Sequence, residues 1–339
     1  MTRKFKVFIE GDFIETWDGE IYDVKGYVHP PNKVIAFVKY IPSKKAEKLR
    51  YGVGYEKVYE LEKRFSYLGK LKPQYLVFDE VFDRVMVEVP LSDVREHYLP
   101  ETKLQSLKRR KFLDHVERQA LDFAKKVKEM SNIPWLNIGI SGSILLNMHD
   151  EFSDIDLVIY GKESCLKAYN TFLTMRKSGL THEYENPLLE KLYSIRVKEN
   201  PIPFELFKAL ENRKVLEGVY GGREYFVRLL KKPEEYGESY GDKRYRRIGE
   251  IYVRGKVIDD EESIFTPCRY VVELEKPVYS VKQVTITSFR GRFTEAARIG
   301  EAVEAYGVLE EVTSCKGTYY QLIVGDVKGS FLKPVSQIM

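Results

Sequence analysis

The chain has 339 residues, 43% of them hydrophobic and 31% charged, with a formal net charge of +4 at pH 7. That length supports a substantial core divided among two or three domains, no apolar run is long enough to span a bilayer, and Met1-Thr-Arg-Lys-Phe-Lys6 lacks the apolar stretch of a secretory signal. Cys165, Cys268 and Cys315 lie far apart without a CxxC pair, and the five histidines show no ligand spacing, which argues against a disulfide framework and structural zinc. These features predict a cytoplasmic protein without a membrane partner, and abundant Lys and Glu with few Cys and Met hint at a thermophilic source.

Residues 1–100 read as a β-rich domain beginning near Arg3. Short apolar runs, Lys6-Val-Phe-Ile9, Lys33-Val-Ile-Ala-Phe-Val38 and Val85-Met-Val-Glu-Val89, are separated by turn signals at Trp17-Asp-Gly19 and His29-Pro-Pro-Asn32. Between them, Tyr55 to Leu68 repeats apolar residues at helical spacing. A helix is expected from Thr102 to Met130, where Leu104, Leu107, Leu113, Val116, Ala120, Ala124 and Val127 recur at three- and four-residue intervals. Leu136-Asn-Ile-Gly-Ile140 then reads as a short strand, and Ser143-Ile-Leu-Leu-Asn-Met148 as the first turns of a helix.

The junction between those two elements carries chemistry. Gly142 has no Cβ, so phosphate oxygens can approach the backbone N–H groups there. Ser143 can cap the helix or offer its hydroxyl to a phosphate at the positive helix end. Ten residues later comes Ser153-Asp-Ile-Asp-Leu-Val-Ile-Tyr160. Its apolar second half argues for a buried strand, and strand geometry points Asp154 and Asp156 to one face, roughly 6–7 Å apart. Two such carboxylates repel one another unless a cation lies between them, and a divalent metal removes that conflict.

Gly142-Ser143, the ten-residue gap and Asp154-Ile-Asp156-Leu157 resemble the signature of the DNA polymerase β-like nucleotidyltransferase superfamily. The whole chain also resembles an archaeal group of predicted nucleotidyltransferases. The resemblance implies an α+β fold: a polymerase-β-like core, a mixed sheet with helices, over residues 101–235. It would be flanked by the β-rich N-terminal domain and by a small β-rich, barrel-like domain over 245–339. It further implies transfer of a nucleoside monophosphate from an NTP such as ATP to a hydroxyl acceptor, with Mg²⁺ (or Mn²⁺) held by Asp154 and Asp156 and pyrophosphate released. Gly142 and Ser143 would hold the β and γ phosphates. Many members carry a third carboxylate on a neighbouring strand, and the matching setting here is Ile202-Pro-Phe-Glu205-Leu-Phe207, with Glu in place of the usual Asp. Glu205 is therefore expected to hold metal and assist deprotonation of the acceptor.

Lys191 to Lys198 alternates like a strand, placing Arg196 and Lys198 on one face, where they would neutralise triphosphate charge. Another helical stretch is expected around Ala209 to Leu216. Beyond Gly249 the sequence is β-like again, in strand-sized runs consistent with an oligonucleotide-binding kind of barrel. Lys108-Arg-Arg-Lys111, Lys243-Arg-Tyr-Arg-Arg247 and Ser288-Phe-Arg-Gly-Arg-Phe293 offer cations beside aromatic rings or glycine, as a single-strand binder does; the second of these also reads as a solvated linker. A nucleic-acid acceptor, RNA, tRNA or a DNA end, is the favoured expectation. A small-molecule or protein acceptor, or a non-catalytic nucleic-acid-binding protein with a degenerate core, is the alternative.

Overall fold

The computed structural model describes residues 6–46, 48–58, 60–279 and 281–335. Residues 1–5, including Arg3 where the first β-rich stretch was expected to begin, lie outside the described residues. The fold is mixed α+β and rich in strands, with several separate sheets. No helix among the described residues is long and apolar enough to cross a membrane. The chain forms two compact units: residues 1–79, 85–182 and 216–240 make one, and 80–84, 183–215 and 241–339 the other. This division cuts across the three successive segments expected from the sequence.

The first unit contains two sheets. In the larger, Phe13–Thr16 pairs antiparallel with Ile21–Val24 on one side and Val94–Tyr98 on the other, and Ile21–Val24 pairs in turn with Lys33–Pro42. Lys33–Pro42 and Arg84–Pro90 are strands as expected, whereas Lys6 to Ile9 forms none. Ile9 N–H instead bonds the Asp12 carboxylate, 3.2 Å away, so a side chain has captured a donor that a strand would have used. The helical spacing around Tyr55 to Leu68 resolves into a strand, Val53–Lys57, and a helix, Leu61–Leu71.

The smaller sheet has the order Glu217–Tyr220, Arg223–Leu230, Ile155–Tyr160, Ile138–Ile140. Its two central strands run parallel, and each edge strand pairs antiparallel. Helices cover one face: Phe123 of helix His115–Ser131 and Phe172 of helix Lys162–Lys177 pack on each other and on Tyr225. The single helix expected from Thr102 to Met130 is two, Pro100–Arg109 and His115–Ser131. Arg110 leaves helical geometry at ψ 133°, and the Asp114 side chain accepts the Glu117 N–H at 2.9 Å, capping a new helix start.

The opposite face of this sheet meets the larger one. Ile9 and Tyr27 cluster with Val158, Tyr160 and Leu230, while Phe13, Ile21, Tyr40 and Tyr55 cluster with Leu145, Leu146 and Met148. Each of these buried side chains contributes about 1.5–3 kcal/mol of transfer free energy. The residues just after the Gly-Ser turn are therefore anchored in the N-terminal sheet, and this packing joins the two sheets into one unit.

The second unit holds a six-stranded sheet. Five strands close in a ring, Lys243–Asp259, Cys268–Val278, Val281–Ser288, Gly317–Ile323 and Ala302–Ser314, and Phe331–Pro334 is added to the last of them. Val281–Ser288 and Gly317–Ile323 run parallel, and the other pairs are antiparallel. Lys243 to Arg247 begins the first strand of this ring and is not a solvated linker.

Candidate active site

The Asp-Ile-Asp strand is central in the smaller sheet. Leu157 opposes Ile140 on one neighbour, and Asp156 opposes Phe226 on the other. Alternation sends Leu157 and Ile159 toward the helices, and Asp156 and Val158 toward the N-terminal sheet, while Asp154 lies just before the strand. Asp154 is exposed and Asp156 half-buried.

The Gly-Ser turn lies directly against this face. Ser141 N–H donates to the Asp156 carbonyl at 2.9 Å, and Ser141 Oγ donates to the Gly11 carbonyl at 2.7 Å. Gly142 has φ +62°, and a Cβ there would lie 1.8 Å from Asp156 Oδ2. Glycine is needed at this point because the carboxylate occupies the space that any side chain would take. The helix that follows is only Gly142–Leu145. Ser143 Oγ is buried and has no hydrogen-bond partner among the described residues, an uncommon state for a hydroxyl.

Around Asp156 lies a narrow cleft walled by both sheets, with Gly11, Asp23 and Lys39 on one side and Gly142, Asp156 and Arg228 on the other. Burial, followed by repulsion from Asp154, pushes the Asp156 carboxyl up to about 7, against the pull of Lys39, Arg228 and Lys57. Burial also brings Lys39 down to about 8, opposed by Asp23, whose carboxylate lies 3.6 Å from its ammonium. Asp23 is held well below the usual carboxylate range: burial opposes its charge, but Lys25, Lys39 and Arg228 outweigh it. Arg228 forms an ion pair with the fully buried Glu10. The cleft is thus acidic at Asp23 and Asp156 and cationic at Lys39 and Arg228.

Glu205 does not lie on the strand expected for it. Residues 204–212 form a helix rather than a strand, because Pro203 sits just ahead of it and Phe207 and Leu210 bury one helical face. Glu205 is exposed in its first turn, in the second unit. Arg196 and Lys198 are likewise not on a strand: Leu188–Arg196 is a helix, Arg196 bonds Glu211 at 3.0 Å, and Lys198 lies exposed in the turn beyond. Short alternation over Lys191 to Lys198 could not separate the two periods.

What the sequence reading missed comes from outside the motif. Lys39 and Asp23 belong to the N-terminal sheet, and Arg228 stands beside Val158 on the neighbouring strand. Extending that register by one residue puts Glu224 opposite Asp154, on the same face. Among the described residues, however, neither aspartate belongs to a group of three His, Cys, Asp or Glu ligand atoms that all lie within 4.8 Å of one another. Asp114, Glu117 and His149 do cluster that closely, but Lys103 and Arg110 already bond Glu117, and Asp114 caps its helix. Two fixed cations disfavour a third one there.

The chain is similar to a protein of Methanocaldococcus jannaschii described as uncharacterized, with 29% identity over 329 residues, 94% of this chain and 96% of the relative. No family profile matches the chain, and no solved structure matches it.

Proposed function

We propose that this chain is a metal-dependent nucleotidyltransferase with a polymerase-β-like core, moving a nucleoside monophosphate from an NTP to a hydroxyl acceptor. The observation that carries the reading is the seating of the Asp156 carboxylate against the Cβ-less Gly142, with Asp154 on the same face and the Ser143 hydroxyl buried without a partner. The raised proton affinity of Asp156, caused by burial and by the neighbouring Asp154 charge, suits a hard divalent cation, which replaces the proton. Asp154 and Asp156 would hold Mg²⁺ or Mn²⁺, and the bound ion would neutralise triphosphate charge and acidify the acceptor hydroxyl.

Gly142 lets the Asp156 carboxylate seat against the turn, and Ser143 Oγ has a hydrogen bond to give. Asp156 is fixed through its own carbonyl by Ser141, which limits its freedom to swing from the cleft. In the transfer, the acceptor oxygen bonds to the α-phosphorus, the bond from that phosphorus to the β-bridging oxygen breaks, and pyrophosphate departs with the electron pair. The hydroxyl proton leaves to solvent or a nearby base. Glu224, rather than Glu205, is the acid on the strand adjoining the pair. The ring order of the second unit, with its one parallel pair, resembles oligonucleotide-binding barrels and favours a nucleic acid as the acceptor.

The test is Mg²⁺-dependent incorporation from each α-³²P NTP into mixed RNA, DNA oligonucleotides or the protein itself. Wild type is compared with Asp154→Ala/Asp156→Ala. Label in acceptor with wild type, and a loss of at least a thousandfold in the variant, is the expected result. Absence of both transfer and Mg²⁺-dependent NTP binding in wild type would leave a nucleic-acid-binding protein.

A further inference from the structure

We propose that Lys39, delivered from the N-terminal sheet, is the ligand of the β and γ phosphates in this cleft, so that the N-terminal sheet forms part of the nucleotide site. The inference rests on the nucleotidyltransferase reading above and adds the residue that selects a triphosphate.

Lys39 sits on strand Lys33–Pro42, in a sheet held to the Asp-Ile-Asp strand by the Ile9, Tyr27, Val158, Tyr160 and Leu230 cluster. It is 28% exposed, lines the same cleft as Gly142 and Asp156, and packs 5.9 Å from the Phe13 ring centroid. Its nearest carboxylate, Asp23, is 3.6 Å away, outside hydrogen-bond range, and is shared with Lys25 at 2.8 Å. Among the described residues, no acceptor is recorded within hydrogen-bond range of its ammonium. A partly buried cation with three donors to give, across the cleft from Asp156, is complementary to a polyanion lying between them. Arg228 differs, because its guanidinium is already engaged by Glu10. Asp23 orients Lys39 and does not neutralise it by close contact.

In this arrangement Lys39 interacts with the part of the nucleotide that leaves. It stabilises the charge accumulating on pyrophosphate as the α–β bridge breaks, and has nothing to bind in a monophosphate. The experiment is equilibrium dialysis of ATP, GTP, CTP and UTP, each with Mg²⁺ and no acceptor, against the full chain. AMP, GMP, CMP and UMP serve as controls. Lys39→Met is expected to weaken the bound NTP tenfold or more while changing its monophosphate less than twofold. Lys39→Arg is expected to return to within threefold of wild type. Lys39→Gln, which keeps a polar group facing Asp23, replaces Lys39→Met if thermal unfolding shows the latter to be misfolded. If wild type binds an NTP and the neutral variants bind it within twofold of wild type, the Lys39 assignment is overturned and the transferase reading stands. If wild type binds none of the four, both are overturned.

Discussion

Gly142 and Asp156 constrain each other. In Gly142→Ala the new methyl group meets the Asp156 carboxylate at 1.8 Å, and the short aspartate can escape only by rotating out of the cleft. The positive φ costs the fold only about 1 kcal/mol, so the thermal unfolding midpoint should drop by a few degrees at most. Calorimetric Mg²⁺ affinity, by contrast, should fall at least tenfold. Asp156 also sets a pH dependence. Its folded value near 7 lies above the ordinary 3.8, so its contribution to stability is fully present below about pH 4 and is lost as pH rises through 7. In metal-free protein, Asp156→Asn should therefore stabilise at pH 8 by on the order of 2 kcal/mol, allowing for partial solvent access, and should leave stability at pH 4 unchanged. Unfolding scans across that range, with and without Mg²⁺, provide the check; the ion should reproduce much of the gain in wild type, since it replaces the proton.

The strand Ile138–Ile140 lies against the helix Pro100–Arg109 with no room to spare. A Cβ on Gly139 would stand 2.5 Å from Pro100 Cβ and 2.8 Å from the Pro100 backbone carbon. Gly139→Ala should cost about 1–3 kcal/mol in chemical denaturation, because backbone must move to admit it. The same paired strands explain which parts of the site could be read in advance. Leu157-Val-Ile159 marked a buried strand, and Gly142 a turn, through local composition alone. The break between the two helices was also written locally, as Asp114 with Glu117 three residues on, but the long apolar periodicity masked it. The segments 191–198 and 202–207 misled because eight or fewer residues cannot separate period 2 from period 3.6.

At the scale of the molecule, position along the chain is a poor guide to the unit a residue enters. Glu205, Arg196 and Lys198 follow the Asp-Ile-Asp strand within about fifty residues, yet segment 183–215 belongs to the second unit. There Lys214, 1% exposed, bonds Glu211 at 2.8 Å and the Arg292 carbonyl at 2.9 Å. Val215 N–H bonds Glu295 at 3.0 Å. That segment is committed to the barrel by groups too costly to leave buried and unpaired. Lys39, by contrast, precedes Asp156 by more than a hundred residues and shares its cleft. No periodicity, motif or charge run in the sequence announces such a long-range meeting. It arises because apolar faces of two sheets cover each other, and a single lysine among many gives no signal of where its strand will dock.

The parallel pairing of Ile155–Tyr160 with Arg223–Leu230 has a consequence for the order in which the protein is made. At ordinary rates of translation, roughly 10–40 s separate the synthesis of Lys39 from that of Arg228. From the synthesis of Asp156 until that of Arg223, roughly 3–13 s at the same rates, the emerging chain carries Asp154 and Asp156 at the start of a strand whose parallel neighbour does not yet exist. A ribosome that stalls before residue 226 releases a chain with both aspartates and no complete cleft around them.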